Sequence, residues 1–242
     1  MRVAFLSDIH ANFPALCAAL ERARLLRTER LVVAGDVIGG GPHPVEVIRL
    51  LRERSALAIR GNVERKLLSL QGKSKRQKRW LKRKSAAHLV WTARQLGDAE
   101  WEWLAALPDT LHLDFDSVRT QVVHGTPQSD EEYLFPSVTA ETIRRAGLDP
   151  VAQALVCGHS HIPFTKMAAG IRIINCGSVG RPVDGDPRGA FAVADFVGPA
   201  IRRPRIVRFR YAVADLVADL EARAVPGARG GEYLRGIKLR GV

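Results

Sequence analysis

Seven residues carry side chains suited to divalent cations, and each follows an apolar run in a polar or glycine-bearing turn: Asp8, His10, Asp36, Asn62, His124, His159 and His161. Singly, each has a plain structural explanation. Asp8, Asp36 or Asn62 can cap the helix that follows it, and an isolated histidine is more often structural than ligating. Together they form a set. Asp8-Ile9-His10 and His159-Ser160-His161 each place two ligating types at i and i+2, a spacing that aims both side chains the same way in an extended chain. The chemistry such a set supports, if the residues converge, is the binding of a divalent metal ion.

The elements that must position these residues are legible in the apolar pattern. Residues 3–6 and 31–34 are short apolar runs that end in Ser7-Asp8 and Gly35-Asp36, as buried strands with polar tips do. Between them residues 14–27 set Leu16, Ala19, Leu20, Ala23 and Leu26 at helical spacing behind Asn12 as N-cap. The resulting strand–helix–strand unit implies parallel pairing. A helix over 44–54 and a strand over 56–59 ending in Gly61-Asn62 extend it, so three strand tips present Asp8, Asp36 and Asn62. Open α/β sheets bind ligands beyond those carboxyl ends.

Residues 62–107 read as helical, with Asp98 capping a last helix whose Trp101, Trp103 and Leu104 are expected in the core. From residue 110 the period changes to two. Strands are expected over 110–115, 119–123, 154–157, 164–167, 171–174, 190–194 and 201–211, with helices near 138–146 and 213–223. The fold class is α/β (α+β): two packed mixed β-sheets flanked by helices, in one domain spanning 1–242 with a basic helical insert at about 66–97. The order of the strands is not readable from the pattern.

Composition narrows the class of protein. There is no apolar stretch of 18 residues, and MRVAFLSD meets an acidic residue too early for a signal peptide, so a cytoplasmic protein without a membrane span is expected. Cys17, Cys157 and Cys176 are odd in number and lack a CxxC pair, which argues against a disulfide framework and for three buried small hydrophobes. The net charge of +12 is concentrated: KSKRQKRWLKRK, from Lys73 to Lys84, holds eight basic residues, leaving 29 basic against 25 acidic elsewhere. Such a run is either a solvated helical face or a polyanion contact, in which Trp80 could stack on a base.

The ordered motifs SDIH, GDV, GNVE, HG and GHSH resemble those of the calcineurin-like metallophosphoesterase superfamily. More narrowly, SDIHAN, GDVIGGGPHP, NCGSVGRPVDGDPRGA at 175–190 and the closing ARAVPGARGGEYLRG resemble its small bacterial and archaeal phosphodiesterase-like branch. The resemblance covers nearly all the chain except the basic insert. It implies a four-layer α/β/β/α fold and a binuclear centre in which Asp8, His10, Asp36 and His161 bind one cation and Asp36, Asn62, His124 and His159 the other. Asp36 would bridge, and a hydroxide held between the cations would attack the phosphorus of a small phosphate ester, such as a nucleotide. Two divalent ions are implied, manganese first, with iron, zinc, nickel or magnesium as alternatives, because mixed imidazole, carboxylate and amide ligation does not discriminate sharply.

One position departs from the superfamily pattern. Its third motif usually reads Gly-Asn-His-Asp or Gly-Asn-His-Glu, with the histidine contacting the phosphate and assisting the leaving group; this chain has Val63. Valine donates no proton, and positioned general acids contribute roughly 10²- to 10⁴-fold. His43, in the glycine-rich loop after Asp36, is a candidate substitute acid, while Glu64 is assigned to the first turn of the next helix with no catalytic role. Asn62, Arg181 and Arg188 are candidate phosphate contacts. The expected function is thus a metal-dependent phosphoesterase, foremost a phosphodiesterase. The alternative is a catalytically weak, metal-containing binding protein that contacts nucleic acid or an acidic partner through its basic insert.

Overall fold

Apolar residues alternate along the strands in a way that demands a packed layer on each face. In β1 (Arg2–Leu6), Ala4 and Leu6 join one buried cluster while Val3 and Phe5 join another. The same split runs through β2 (Arg30–Ala34), where Val33 faces away from Val32 and Ala34. This period of two is the geometry of a strand buried on both sides.

The computed structural model describes residues 1–71 and 86–238. The basic run at 73–84, and the nucleic-acid reading that rests on it, lie outside the described residues. The first half alternates: β1, α1 (Phe13–Leu25), β2, α2 (Pro44–Glu53), β3 (Leu57–Ile59) and α3 (Asn62–Leu68), followed by α4 (Ala87–Gln95) and α5 (Asp98–Ala106). The second half is strand-rich: β4 (Leu111–Phe115), β5 (Val118–Val122), α6 (Ala140–Arg145), β6 (Ala154–Cys157), β7 (Phe164–Ala168), β8 (Ile171–Asn175), β9 (Gly189–Val197) and β10 (Ala200–Phe209). Two helices close the described chain, α7 (Val213–Ala222) and α8 (Gly230–Arg235).

These strands form two mixed five-stranded sheets, ordered β10-β9-β1-β2-β3 and β4-β5-β6-β8-β7. In the first, β1, β2 and β3 run parallel, whereas β9 pairs antiparallel with both β1 and β10. Val3, Phe5, Ala34, Ile59 and Phe196 of that sheet interleave with Phe115, Val122, Val156 and Ile174 of the other. Helices α1 and α2 cover the first sheet's outer face, and Ile143 of α6 packs on the second. The expected two-sheet, helix-flanked architecture is therefore present.

Several local expectations need correction. Gly97 caps α5 and Asp98 is already helical, because Glu100 reaches back to the Gly97 amide at 3.1 Å. Trp101 and Trp103 are half-buried at the margin of the core. Cys17 is exposed, since it points off the solvent side of α1, while Cys157 and Cys176 are buried. Helix α8 was not legible: at six residues and opened by two glycines it carries no apolar period. Among the described residues no helix is long and apolar enough to cross a membrane.

Candidate metal centre

The chain leaves β1, β2, β3 and β6 at one end of the sandwich, and there the polar residues converge. Asp8, His10 and His161 offer ligand atoms within 4.8 Å of one another, and so do Asp36, His124 and His159. Asp36 faces both groups: Oδ2 lies 3.8 Å from His10 Nε2, and Oδ1 lies 3.4 Å from His124 Nε2. Asn62 opens α3 at the rim, and a cavity of about 260 Å³ exposes His10, Asp36, Asn62, His159 and His161 on one wall.

The convergence is not produced by extended strands. Asp8, His10, Asp36, His159 and His161 have φ of 54°, 51°, 39°, 62° and 57°, the left-handed region that residues with a Cβ disfavour. The i, i+2 pairs therefore point together because both members sit in left-handed turns. Glycines let the turns approach: a Cβ at Gly61 would meet Asp36 Oδ1 at 2.2 Å, and one at Gly158 would meet Asp8 Oδ2 at 2.5 Å.

Three of the four imidazoles are oriented from behind. His10 Nδ1 lies 3.0 Å from the Gly39 carbonyl, His124 Nδ1 2.8 Å from the Ala34 carbonyl, and His161 Nδ1 2.5 Å from the Arg181 carbonyl. A carbonyl only accepts, so Nδ1 donates and Nε2 is directed at the cluster, the arrangement of a metal-binding histidine. Asp8 is held likewise: its Oδ2 accepts from the His159 amide at 2.9 Å.

Four ligand atoms of the cluster lack a hydrogen-bond partner. Asp8 Oδ1, Asn62 Oδ1, His124 Nε2 and His159 Nε2 are buried without a hydrogen-bond partner, although Asp8 Oδ1 lies 3.2 Å from His161 Nε2. Buried polar atoms are rarely left unpaired. His10 Nε2 and His161 Nε2 approach to 3.2 Å, lone pair toward lone pair unless one is protonated. A donor set of two carboxylates, four imidazoles and an amide, with its unpaired atoms directed inward, fits divalent cations.

Electrostatics agree with that fit. Burial works to raise the Asp8 carboxyl, but the imidazoles of His161, His124 and His10 hold it far below the usual carboxylate range. Burial, reinforced by His161, pushes His10 down to about 4, leaving it neutral and able to ligate. His124 goes the other way: burial opposes its charge, yet the Asp36 and Asp8 carboxylates raise it to about 10. There a proton and a cation compete for one lone pair.

Glu64 is more than a first-turn residue. It is fully buried and accepts from the Gly61 amide at 2.7 Å and the Ile38 amide at 3.0 Å, tying the Asn62 loop to the Asp36 loop. Burial and then Asp36 raise its carboxyl to about 8. Its place three residues after Gly61, at the spacing of a capping box, was the available signal for half of this role.

The remaining candidates separate. Val63 and Arg181 line the cavity, and Arg181 Nη2 is 2.8 Å from Glu232 Oε2. His43 does not line it; its Nε2 lies 2.9 Å from Asp219 Oδ2 of α7, and its ring meets Phe13 edge-on, so the structure gives it no path to a substrate. Arg188 is turned outward onto Asp186 at 2.7 Å. Unforeseen in the sequence are Tyr133, which stacks on His159 with ring centroids 4.3 Å apart, and Lys238, both of which line the cavity. Nothing in their sequence neighbourhoods marks them, since both arrive from distant loops.

Two mixed sheets sandwiched by helices, with carboxylates, imidazoles and an amide at the strand ends, define the architecture of a metallophosphoesterase. The profile of the calcineurin-like phosphoesterase superfamily domain matches residues 1–198, and the chain belongs to that superfamily. It is similar to a metallophosphoesterase of Sphaerobacter thermophilus, with a TM-score of 0.80 at 26% identity over 98% of this chain and 99% of that one. A hypothetical protein of Pyrococcus horikoshii OT3 shares the fold with a TM-score of 0.85 at 22% identity over 98% and 99% of the two chains. An uncharacterized protein of Methanocaldococcus jannaschii is 27% identical over 210 residues, 80% of this chain and 82% of its own length.

Proposed function

We propose that this protein is a metal-dependent phosphodiesterase working as a single domain over residues 1–242. Asp8, His10, Asp36 and His161 would hold one divalent cation and Asp36, Asn62, His124 and His159 the other. The observation that carries the reading is the set of four buried, unpaired ligand atoms, on Asp8, Asn62, His124 and His159, directed into one cluster. Two bound divalent ions would supply Lewis acidity toward phosphoryl oxygens and lower the pKa of water enough to give a nucleophile near neutral pH.

The chain's own residues do the rest. The two oxygens of Asp36, aimed at different imidazoles, suit a carboxylate shared between cations. Carbonyls of Gly39, Ala34 and Arg181 keep three imidazoles in the ligating tautomer. Asn62 and Arg181 provide an amide and a guanidinium for phosphoryl oxygens at the cavity wall. Val63 provides no proton, which favours esters whose leaving groups depart readily. Manganese is the metal proposed first, from a donor set that suits iron and zinc as well.

The test is hydrolysis of bis(p-nitrophenyl) phosphate and p-nitrophenyl phosphate by metal-stripped protein reloaded with manganese, with metal content measured in parallel. Turnover that requires manganese, prefers the diester and disappears in Asp36→Asn is the expected result. Two bound metals per chain without turnover of either ester would overturn it.

A further inference from the structure

The cavity beside the candidate metals lacks one group and offers two others. Val63 leaves the leaving-group side without an acid, while Arg181 and Lys238 bring two cations to the same cavity. Both depend on a part of the chain beyond residue 198, where the superfamily match ends. Lys238 belongs to it, and Glu232 of α8 holds the Arg181 guanidinium at 2.8 Å. Glu232 is itself buried, and α8 is fixed in turn by Tyr233, whose hydroxyl donates to the Gly40 carbonyl at 3.3 Å. Gly40 adjoins Gly39, whose carbonyl orients His10. A further cavity of about 200 Å³ shares Arg181 and is walled by Gly40, Glu232 and Tyr233, so the guanidinium stands between two spaces large enough for phosphate-sized groups.

A leaving group can be helped in two ways: by protonation, or by neutralisation of the charge it carries away. An alkoxide, whose parent alcohol is about as weak an acid as water at about 15.7, needs the proton. A phosphate, with a second ionisation near ~6, leaves as an anion and needs cations instead. Guanidinium and ammonium groups are the side chains that supply them.

Resting on the hydrolase reading above, we infer that the substrate is a phosphoanhydride, a diphosphate-bridged ester, with the departing phosphate received by Arg181 and Lys238 and Arg181 positioned by Glu232. Water forms the new P–O bond at the phosphorus held beside Asp36 and Asn62, the residues that would hold the cations. The P–O bond to the bridging oxygen breaks, and the second phosphate departs with the bonding pair. Water's protons pass to solvent and product oxygens, and nothing is oxidised or reduced.

The experiment compares ADP, bis(p-nitrophenyl) phosphate and methyl phenyl phosphate as substrates of manganese-loaded protein, and measures methylenediphosphonate binding by calorimetry. ADP kcat/KM is expected to exceed that of methyl phenyl phosphate at least tenfold. Arg181→Gln should lower ADP kcat/KM roughly 10- to 100-fold beyond its effect on bis(p-nitrophenyl) phosphate, the scale of one charge-assisted contact. Glu232→Gln should act through Arg181, raising KM for ADP more than it lowers kcat, with Glu232→Asp restoring part of the loss. Equal loss on all three substrates in Arg181→Gln, or no preference for ADP in the unaltered protein, overturns the assignment. If no ester is hydrolysed, methylenediphosphonate binding weakened by Arg181→Gln sinks the hydrolase reading while leaving the diphosphate site. Binding indifferent to Arg181 sinks both.

Discussion

Residues 3–6 and residues 7–10 are consecutive stretches of one chain with opposite physics. The first is a buried strand, paired to β2 on one side and β9 on the other, with apolar side chains alternating between two cores. The second carries left-handed backbone at Asp8 and His10 and leaves Asp8 Oδ1 unpaired. Such conformations cost on the order of 1–3 kcal/mol each, and five of the seven candidate ligands adopt them. Stability therefore resides in the sandwich interior, which holds the strand ends in conformations they would not adopt alone, and the strained end is where cations would meet buried polar atoms that have no hydrogen-bond partner.

The comparison breaks if the two regions cannot be damaged independently. The largest effect is expected from Asp36→Asn, which removes the charge facing both clusters. Metal content should fall below two per chain and manganese-dependent hydrolysis by at least ~10³-fold, about 4 kcal/mol of barrier, with cooperative unfolding retained by circular dichroism. Phe5→Ala is the converse. Phe5 is fully buried between the sheets, edge-on to Phe115 and Phe196, and its truncation should lower urea stability by about 3–5 kcal/mol. The folded fraction should bind as much metal as the unaltered protein. A Phe5→Ala protein that folds but loses metal would show that core and site are one unit.

A third test asks whether cations relieve the strained end. Metal at ~100 times its dissociation constant stabilises by about 2.7 kcal/mol, which for a chain of this size is about 5–10 °C in Tm. Reloading stripped protein with manganese should produce that rise in a calorimetric scan, and Asp36→Asn should show little of it. A Tm indifferent to manganese would mean the unpaired atoms are not cation ligands.

How much of this was legible follows the same division. The interior announces itself, because burial on both faces forces apolar runs: the strand at 154–157 falls where the pattern put it, and the one expected over 171–174 runs one residue further, to Asn175. The candidate ligands were legible as residue types at strand tips. Their backbone was not, because left-handed φ at Asp8 or His161 is imposed by tertiary contacts and has no glycine to advertise it. Strand order was equally hidden: β9 inserts beside β1 from more than 180 residues away. His43 illustrates the limit of loop reasoning. A glycine-rich loop next to Asp36 suggested a flap over the site, but α7 captures its histidine through Asp219. Tyr133 and Lys238 reach the cavity, and Glu232 reaches Arg181 behind it, from segments whose local sequence says nothing of it.

The smallest expected effect is also the one that separates chemistry from scaffold. Val63 Cγ1 lies where a Cβ at Gly39 would approach to 2.5 Å, so the side chain packs on the loop that orients His10 while another part of it faces the cavity. Its amide donates to Asp36 Oδ1 at 2.9 Å, and a substitution of the side chain leaves that bond in place. Val63→His therefore adds a proton donor beside the candidate metals without removing a ligand. A positioned acid is worth roughly 10²- to 10⁴-fold, and one grafted without supporting contacts should recover only ~10- to 100-fold of that. The gain should appear on methyl phenyl phosphate, whose phenoxide departs reluctantly, and shrink on bis(p-nitrophenyl) phosphate. On a phosphoanhydride, whose leaving phosphate needs no proton, it should vanish. A uniform gain on all three would place the limit at phosphoryl binding, and no gain with unchanged metal content would mean that position 63 does not face the leaving group.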